Sequence, residues 1–512
     1  MIDALLILKG ISMNMILKGD YFEGQFVQPK DTTESILKLS PADLSASLWE
    51  ARTNESHVDA VIDSAQKGFE TWRKTTFEER IVFLKKYQEA VRAKKNQIAE
   101  ALSWEVGKPY WEALTEAAAL DSKVSVTITD SLERIKQETI KDVMPKIDGH
   151  VYYKPLGPCF VIGPFNFPCH LANGQILAAL LAGNSVIFKP SEKTIYSAQL
   201  MMDCFHEAGF PKGVINFING TGKIAGKITS DKRVKGIFFT GSRGVGMRIL
   251  ENTHKDLNKL VALELGGKNS TIIHHDANMD HALPELLRAC FLTTGQRCTS
   301  TSMILIHRKI EQEFIAKFKA VTEKIRVGHP IKSTPEAFMG PLIDEAAEKM
   351  YFEFCEIGKK EGAEEIISPR KLDVGFNGHY VSPSIHYTKS PDLKGKFIQE
   401  EIFGPNCFFV PYDTIEEAIR IANCTEYGLA ASVFTKDKSI YELCLRDIDS
   451  GLINLNRSTV GATARLPFGG SKNSGNFHPA AVSMIDHCVT TMSSLETIDD
   501  SSKMSDVVGL NP

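Results

Sequence analysis

A single cysteine, Cys298, lies in the segment TTGQRCTSTS of residues 293–302, among small hydroxyl residues and directly after Arg297. A thiolate attacks carbonyl carbons, and a helix terminus or a nearby cation favours the thiolate over the thiol. A helical pattern precedes this segment, and Arg297 offers the cation. The alternative is an inert thiol, since free cysteine is among the residue types most often buried. Cys298 is therefore a candidate nucleophile.

A second candidate is Glu264, the one charged residue of the strand-like segment LVALELGG. A carboxylate is rarely buried among apolar residues without a role. Burial raises the pKa of a carboxyl group toward the value that a general base needs near neutral pH. The alternative is a structural salt bridge.

Two turns between a strand and a helix are candidates for binding a nucleotide. Gly241, Gly244 and Gly246, in FFTGSRGVGMRIL, expose backbone N–H groups at the positive end of a helix, which suits a phosphate. Their spacing does not match GxGxxG, and a turn without ligand is the alternative. In IFKPSEKT, Lys189 and Glu192 end a strand where nucleotides dock in open sheets, and a carboxylate there accepts ribose hydroxyls. The alternative here is a solvated charged turn.

Composition narrows the class of function. The 512 residues are enough for about two to four domains. The formal net charge of −4 leaves no excess to attract nucleic acid or a membrane surface. The 10 cysteines show no CxxC and no Cys/His spacing of a metal site, which predicts reduced thiols and a cytoplasmic location. No apolar run approaches the ~20 residues that span a bilayer. The chemistry of small molecules is the expectation.

The elements that must position these residues are predicted from periodicity. Residues 56–140 carry apolar residues at helical spacing, and from residue 159 short β-branched runs alternate with helical patterns. Alternation of this kind predicts parallel sheets with helices on both faces. A second series is expected to begin at LVALELGG, with the boundary near residue 262. The apolar leader lacks the features of a signal peptide, so we interpret it as an extension and leave Met1, Met13 and Met15 open as the start.

Seven motifs occur in one order along the chain. They are PFNFP (164–168), KPSE (189–192), FTGSRGVG, LELGGK (263–268), GQRC (295–298), EEIFGP (400–405) and PFGGSKNSG (467–475). Together they resemble the NAD(P)-dependent aldehyde dehydrogenase superfamily over roughly residues 20–497. SGNFHPAA (474–481) and NFPCHLANGQILAALLAGN are most similar to its succinylglutamate semialdehyde dehydrogenases, which belong to bacterial arginine catabolism.

The resemblance implies a division of chemical roles. Cys298 is the nucleophile that forms a thiohemiacetal and then a thioester, the Asn166 amide holds the oxyanion, and Glu264 is the base for hydrolysis. The implied contacts of the cofactor, NAD, are Lys189, Glu192, Gly241, Ser242, Arg243, Gly244, Val245, Gly246, Glu401 and Phe403. The acidic Glu192 would repel a 2′-phosphate, which favours NAD over NADP.

A substrate with several carboxylates needs cations near the entrance of its tunnel. Arg297 precedes the nucleophile, and Arg457 and Arg465 lie in NRSTVGATARLPFGG, the segment that lines the entrance in the family. His170 is expected to line the tunnel. Each arginine is alternatively a surface residue, and His170 is alternatively a packing residue.

The resemblance also implies the organisation of the chain. We expect an α/β fold with two doubly wound parallel-sheet domains and a small β arm. The predicted divisions are 20–140 with 158–262 for NAD binding, 263–480 for catalysis, 141–157 with 481–497 for an oligomerisation arm, and 1–14 and 498–512 for an extension and a tail. The arm predicts a homodimer or homotetramer, because a lone strand pair is marginal.

The leading hypothesis is the NAD-dependent oxidation of N-succinyl-L-glutamate 5-semialdehyde to N-succinyl-L-glutamate. Three alternatives remain: another semialdehyde of amino-acid catabolism, an enzyme that forms an acyl-CoA, and a binding protein without activity. Glu264 argues against the acyl-CoA alternative, since it supplies a base for hydrolysis. The presence of Cys298 and Asn166 beside it argues against a protein without activity.

Overall fold

The structure is a computed structural model that describes residues 15–498, 501 and 508–509. The predicted extension 1–14 and most of the predicted tail lie outside the described residues. Within the described part, no helix is both long enough and apolar enough to cross a membrane.

The amino-terminal part is mainly helical, as the periodicity of residues 56–140 predicts. Thr76 and Glu79 cap the second helix reciprocally, and Gly107, with φ 86°, ends the third. The elements are β1 (Asp20–Phe22), β2 (Gln25–Val27), β3 (Glu34–Ser40), β4 (Asp43–Thr53), α1 (His57–Trp72), α2 (Phe77–Ala93), α3 (Lys95–Val106) and α4 (Tyr110–Val126).

The middle of the chain alternates short strands with helices. Its elements are β5 (Glu138–Met144), β6 (Ile147–Pro155), β7 (Cys159–Ile162), α5 (His170–Ala182), β8 (Val186–Lys189), α6 (Ile195–Glu207), β9 (Ile215–Phe217), α7 (Gly222–Ser230), β10 (Gly236–Thr240), α8 (Arg243–Thr253) and β11 (Leu260–Glu264).

The carboxyl-terminal part repeats this alternation and ends in a long strand. Its helices are α9 (Met279–Phe291), α10 (Glu311–Thr322), α11 (Glu345–Lys360), α12 (Lys396–Gln399), α13 (Ile415–Ala422) and α14 (Lys438–Asp447). Its strands are β12 (Asn269–Ile273), β13 (Thr301–His307), β14 (Glu364–Ile367), β15 (Ser384–Tyr387), β16 (Asn406–Tyr412), β17 (Tyr427–Gly428), β18 (Ala430–Phe434), β19 (Leu452–Leu455), β20 (Pro467–Phe468), β21 (Ser471–Lys472), β22 (Ala480–Ala481) and β23 (Val489–Thr497).

The first large sheet has seven strands in the order β11-β10-β7-β8-β9-β1-β2. Strands β7 to β11 run parallel to their neighbours, and the hairpin β1–β2 adds an antiparallel edge. Separate apolar cores cover its two faces, as a doubly wound sheet requires. The strand Leu260–Glu264 pairs with β10, so it belongs to this sheet and does not open the second series as we expected from its position in the chain.

The second large sheet also has seven strands, in the order β14-β15-β16-β13-β12-β18-β19. All neighbouring pairs are parallel except β14–β15. Two further cores cover its faces. The predicted α/β fold with two doubly wound, mostly parallel sheets is thus confirmed, with antiparallel strands at one edge of each sheet.

A small antiparallel sheet, in the order β23-β6-β5, joins the predicted arm segments. Every residue of β5 is exposed, and so is every residue of β23 after its first. Exposed apolar side chains on this sheet include Ile140, Val143, Met492 and Leu495. The small sheet therefore presents an apolar surface to solvent in this chain.

Candidate functional site

Four of the predicted site residues follow four neighbouring strands of the first sheet. Glu264 ends β11, Ser242 follows β10, Asn166 follows β7 and Lys189 ends β8. The carboxyl ends of parallel strands meet at one edge of a sheet, where ligands of open α/β sheets bind. The strand order therefore gathers residues that are far apart in sequence.

A cavity of about 890 Å³ lies at this edge and is closed by residues that precede strands of the second sheet. Cys298 comes three residues before β13, and Glu401 and Phe403 come shortly before β16. The predicted residues that line the cavity are Asn166, Lys189, Glu192, Gly241, Ser242, Arg243, Gly244, Val245, Cys298, Glu401 and Phe403. The volume is that of a typical ligand site.

The glycine-rich turn forms the amino end of α8. Its N-cap, Ser242, makes no side-chain hydrogen bond that caps the helix. The first N–H groups of this eleven-residue helix therefore lie at the cavity without a side-chain cap. A Cβ at Gly244 would meet no atom within 4 Å, which leaves the turn open to a ligand. Gly246 does not line the cavity; a Cβ there would lie 2.8 Å from Cδ2 of Leu265, so this glycine serves packing between helix and strand.

Lys189 and Glu192 lie together on the cavity wall. The Lys189 ammonium is buried, donates to the Pro190 carbonyl at 2.7 Å and lies 3.9 Å from the Glu192 carboxylate. Burial lowers the pKa of Lys189 to about 8. Both side chains are thus available to hydroxyls or phosphates inside the cavity.

The segment before Cys298 is held in an unusual backbone conformation. Thr293, Thr294 and Gly295 have φ of 55°, 56° and 71°, which ends the helical path of α9 in three left-handed residues. A Cβ at Gly295 would collide with the Gly404 carbonyl, so only glycine allows this segment to reach the loop of Glu401. Left-handed residues other than glycine are strained and cluster at functional sites.

The Cys298 loop is also tied to β12. The Asn269 amide donates to the Cys298 carbonyl at 2.7 Å and to the Ser300 carbonyl at 2.9 Å. A Cβ at Gly267 would lie 2.5 Å from the same Cys298 carbonyl oxygen. The loop therefore rests directly on the LGGK segment that follows Glu264.

The thiol of Cys298 is less acidic than we expected from its neighbour Arg297. Burial, followed by the nearby Glu264 and Glu401 carboxylates, raises the pKa of Cys298 to about 12, and Arg297 opposes this only in part. Arg297 is engaged elsewhere, in a pair with Glu112 at 2.6 Å. The side chain of Cys298 is partly exposed and reaches the cavity, but without ligand it is a thiol and not a thiolate.

Asn166 lies beside the same loop. Its buried amide donates to the Gln296 carbonyl at 2.9 Å, two residues before the cysteine. A primary amide has two N–H donors, and the second has no partner among the described residues, so it is available to the cavity that Asn166 lines. Asn166 is therefore placed to donate to an oxygen bound next to Cys298.

Glu264 is buried behind the cysteine. Neither carboxyl oxygen has a hydrogen-bond partner among the described residues, and burial raises its pKa well above the usual range. Glu264 forms no salt bridge within the described chain, so its burial is not explained by a structural salt bridge. A buried carboxyl group without partners and next to a thiol is suited to accept a proton from a water molecule or from the thiol.

Glu401 and Phe403 belong to one loop of the second sheet. Glu401 Oε1 accepts the Gly267 N–H at 3.0 Å, and burial raises the pKa of Glu401 to about 7. Phe403, with φ 52°, packs edge-on against Phe165 with ring centroids 5.8 Å apart. This contact joins the loops that carry Glu401 and Asn166.

The four predicted substrate residues are not gathered in this cavity. Arg465 pairs with Asp130 at 2.6 Å and its side chain is 74% exposed, while Arg457 is exposed and donates to the Gly461 carbonyl at 3.3 Å. Arg297 is mostly buried over the ring of Phe167. His170 begins α5 and is partly exposed. Of the four, Arg297 and His170 lie near each other.

Sequence reasoning missed a buried charged cluster on α4. Glu112 accepts hydrogen bonds from Thr293 and Arg297, and Glu116 pairs with Lys108 and accepts the N–H groups of His170 and its neighbour. Glu112 and Glu116 are four residues apart, which places them on one face of the helix. The sequence signal for this cluster was the presence of charged residues at helical spacing inside the otherwise apolar segment YWEALTEAAALDSKVSV.

Curated relatives share most of the chain. An N-succinylglutamate 5-semialdehyde dehydrogenase of Vibrio cholerae is 33% identical over 452 residues, which are 88% of this chain and 91% of that protein. One of Legionella pneumophila is 34% identical over 489 residues, which are 94% of this chain and 95% of that protein.

Solved structures share the fold. A 1-pyrroline-5-carboxylate dehydrogenase from Thermus with bound NAD has a TM-score of 0.87 at 27% identity and covers 94% of this chain and 93% of that one. An NAD-dependent aldehyde dehydrogenase from Sinorhizobium meliloti has a TM-score of 0.91 at 26% identity, with 97% and 98% covered. The model of the aldehyde dehydrogenase family matches residues 26–493. This chain belongs to the aldehyde dehydrogenase family.

Proposed function

We propose that the chain oxidises N-succinyl-L-glutamate 5-semialdehyde to N-succinyl-L-glutamate with NAD, and that Cys298, Asn166 and Glu264 carry out the chemistry. The observation that supports the reaction is the convergence of three groups at the Cys298 loop: a thiol and an amide donor that line the cavity, and an unpaired buried carboxyl group near the thiol. The relatives named above, at 33% and 34% identity, support the choice of aldehyde.

The residues of the cavity fit a dinucleotide. The uncapped amino end of α8 suits a pyrophosphate, and the Glu192 and Glu401 carboxylates line the cavity where ribose hydroxyls need acceptors. Lys189 adds a cation beside Glu192. A bound NAD would supply the acceptor for a hydride. Because Glu192 would repel a 2′-phosphate, we propose NAD and not NADP.

The first step is the attack of Cys298 Sγ on the aldehyde carbon. The thiol proton passes to solvent water at the cavity, the C–S bond forms, and the carbonyl oxygen takes the negative charge. Asn166 holds that oxygen with its free N–H, together with the backbone N–H of Cys298. One such donor is typically worth about 3 kcal/mol in the transition state. Loss of hydride from this thiohemiacetal leaves a thioester on Cys298.

The second step is hydrolysis of the thioester. Glu264 takes a proton from water, the oxygen of that water attacks the thioester carbon, and the C–S bond breaks to release the acid. The proton on Glu264 then passes to the sulfur, which regenerates both the thiol and the carboxylate. The raised pKa of Glu264 makes it a stronger base than an exposed carboxylate once it is ionised. Its carboxylate has no other hydrogen bond to break within the described residues.

The test is a kinetic comparison of aldehydes. Purified protein is mixed with NAD and with N-succinylglutamate 5-semialdehyde, glutamate 5-semialdehyde, succinic semialdehyde or an unbranched neutral aldehyde, and NADH absorbance is followed. We expect the highest kcat/KM with the succinylated substrate and no turnover by Cys298→Ala. Cys424→Ala is the matched control, because Cys424 is the other partly exposed cysteine in the described chain and lies outside the cavity.

The outcomes separate the alternatives. Preference for another semialdehyde would keep the mechanism and refute the choice of substrate. Turnover that requires CoA and yields an acyl-CoA would refute hydrolysis by Glu264. Folded Cys298→Ala with full activity, or a wild type inactive with every aldehyde, would refute the catalytic assignment.

We also propose a division of roles, in which the part of the chain around the first sheet binds the nucleotide and the part around the second sheet carries the nucleophile. In addition, we propose that the β23-β6-β5 sheet joins subunits in a homodimer or homotetramer. Ile140 and Leu495, 52% and 60% exposed on this sheet, support a covering partner. Light scattering coupled to size exclusion measures the mass in solution. A monomer at micromolar concentration would refute the last assignment.

A further inference from the structure

One face of α5 borders the reaction site. This helix is buried almost everywhere, but His170, Leu171 and Gly174 are partly exposed, at the spacing of a single helical face. Leu171 lines the cavity together with Asn166 and Cys298. His170 follows Asn166 by four residues in the chain. The partly exposed face of α5 is therefore a wall that leads away from the reacting thiol.

Three cations approach this wall at His170: Lys108, Arg297 and Lys123. Two of them are already neutralised by carboxylates. Lys108 pairs with Glu116, and Arg297 pairs with Glu112 at 2.6 Å.

Lys123 differs from the other two. Its side chain is buried, with 3% of the residue exposed, and no carboxylate of the described chain lies within ion-pair distance of Nζ. Its ammonium donates to a single backbone carbonyl, that of Ala481, at 2.8 Å. Burial alone lowers its pKa to about 8. A buried cation that lacks an anion costs free energy, and a bound anion would remove that cost.

Neighbouring residues hold the Lys123 side chain in this position. A Cβ at Gly174 would lie 3.2 Å from Cε of Lys123, so glycine leaves room for the side chain beside the exposed face of α5. Ala481 adopts φ 60° and ψ −134°, an unfavourable conformation for alanine, while its carbonyl accepts from Lys123. Ala481 pairs with Pro467, which lies in the segment that contains Arg465.

His170 offers a second unused group at the same place. Nδ1 is buried and has no hydrogen-bond partner in the part of the chain that the structure describes. Burial and then the three cations lower the pKa of His170 to about 4, so the ring is neutral near pH 7 and carries one N–H. A neutral imidazole near an ammonium that has no carboxylate partner in the described chain is suited to donate to an anion without adding a further charge.

We infer that Lys123 and His170 form the subsite for a carboxylate of the substrate, with Lys123 Nζ as the ion-pair partner and His170 Nδ1–H as a hydrogen-bond donor. The inference deepens the proposed function and rests on it in one respect, namely that the aldehyde is a semialdehyde with a carboxylate. Arg297 and Arg465 are already paired with carboxylates, those of Glu112 and Asp130. Arg457 is exposed to solvent, where an ion pair contributes little.

The test compares pairs of aldehydes of equal length that differ only in a carboxylate: succinic semialdehyde with butanal, and glutaric semialdehyde with pentanal. We expect Lys123→Met to lower kcat/KM for the carboxylated member of each pair about 10- to 100-fold, the loss expected for a hydrogen bond to a charged group. The neutral member should change less than about threefold, because the variant removes the charge but keeps the length of the side chain. Lys123→Arg should recover part of the preference.

Equal losses for both members would overturn the inference, since they would show a structural role for Lys123. No loss for either member would overturn it as well. His170→Gln, which keeps an N–H donor, should retain the preference for carboxylated aldehydes, and His170→Leu should reduce it. If Lys123→Met does not fold, the comparison of His170→Gln with His170→Leu tests the inference instead.

A failure of the proposed substrate can be told apart from a failure of the subsite. Wild type that prefers another carboxylated semialdehyde over the succinylated one refutes the proposed function but leaves the ratio within each matched pair to test Lys123. Wild type that shows no preference for the carboxylated member of either pair refutes the subsite itself.

Discussion

The pH dependence of NAD binding provides a direct test of Glu401. Its carboxyl group is buried, lines the cavity and has a pKa raised to about 7 by burial. A carboxylate accepts ribose hydroxyls, whereas a protonated carboxyl accepts them less well. Because the carboxylate form is lost as the pH falls through about 7, the affinity for NAD should fall in the same range.

The expected change in the Kd for NAD follows from the fraction of Glu401 that is ionised at each pH. If only the carboxylate form binds, the apparent Kd equals the intrinsic Kd multiplied by one plus ten to the power of pKa minus pH. Between about pH 7.5 and about pH 6 this factor rises about eightfold for a pKa of about 7. Lys189 titrates at about 8, so it stays mainly charged over this interval. No histidine lines the cavity in the described part of the chain.

The assay is calorimetric titration of Cys298→Ala with NAD, which separates binding from turnover. We expect Kd to rise about eightfold from about pH 7.5 to about pH 6, and we expect Glu401→Gln to bind NAD more weakly with a flat profile. Glu400→Gln is the matched control, because Glu400 also lines the cavity but is exposed to solvent. It should keep the slope of the wild type.

Lys268 provides an independent variant. Its amine is buried without a hydrogen-bond partner among the described residues and lies 5.2 to 5.9 Å from the ring centroids of Phe354, Phe397 and Phe408. Burial lowers the pKa of Lys268 to about 7, so it is charged mainly below about pH 7, and its charge lowers the pKa of Glu401 there. Lys268→Met should therefore move the midpoint of the binding profile to higher pH. A flat profile for wild type, or an unchanged slope in Glu401→Gln, would refute the reasoning.

Three further predictions concern other groups. Glu264→Gln should release a burst of NADH of about one equivalent per site and then stall, since acylation proceeds without hydrolysis; quenched-flow absorbance shows this, and a steady rate equal to wild type would contradict it. Glu112→Gln leaves Arg297 buried beside a neutral partner and should lower the free energy of unfolding by up to about 3 to 5 kcal/mol, measured in urea; unfolding at the urea concentration of wild type would contradict it. Glu192→Gln should raise kcat/KM with NADP relative to NAD, because it removes the charge that repels a 2′-phosphate; an unchanged ratio of the two would argue against contact with the ribose.

The strands and turns that position the site could be predicted from the sequence, because each of them is formed by residues close together in the chain. Lys189 and Glu264 end short β-branched strands, and the turn at Ser242 follows another, so their common edge could be predicted once parallel strands were predicted. The order of the strands was not predictable, since β11 pairs with β10 and stays in the first sheet. A strand that spans the predicted boundary carries no sign of which sheet it joins.

The environment of each charge depended on contacts between residues far apart in the chain. Arg297 beside Cys298 suggested an acidic thiol, but its partner Glu112 lies 185 residues earlier. With that pair formed, burial and the carboxylates of Glu264 and Glu401 dominate, and the pKa of Cys298 rises. Sequence proximity identifies possible partners, and only the fold shows which pair forms.

The connection from Glu264 to Asn269 spans both units of the site in five residues. Glu264 ends a strand of the first sheet, and Asn269 begins a strand of the second and holds the carbonyl of Cys298. A chain in which one sheet alone had formed would thus possess either the carboxyl group or the ordered thiol, but never both. Incompletely folded molecules would be catalytically silent, and recovery of activity during refolding should report the slower of the two sheets to form.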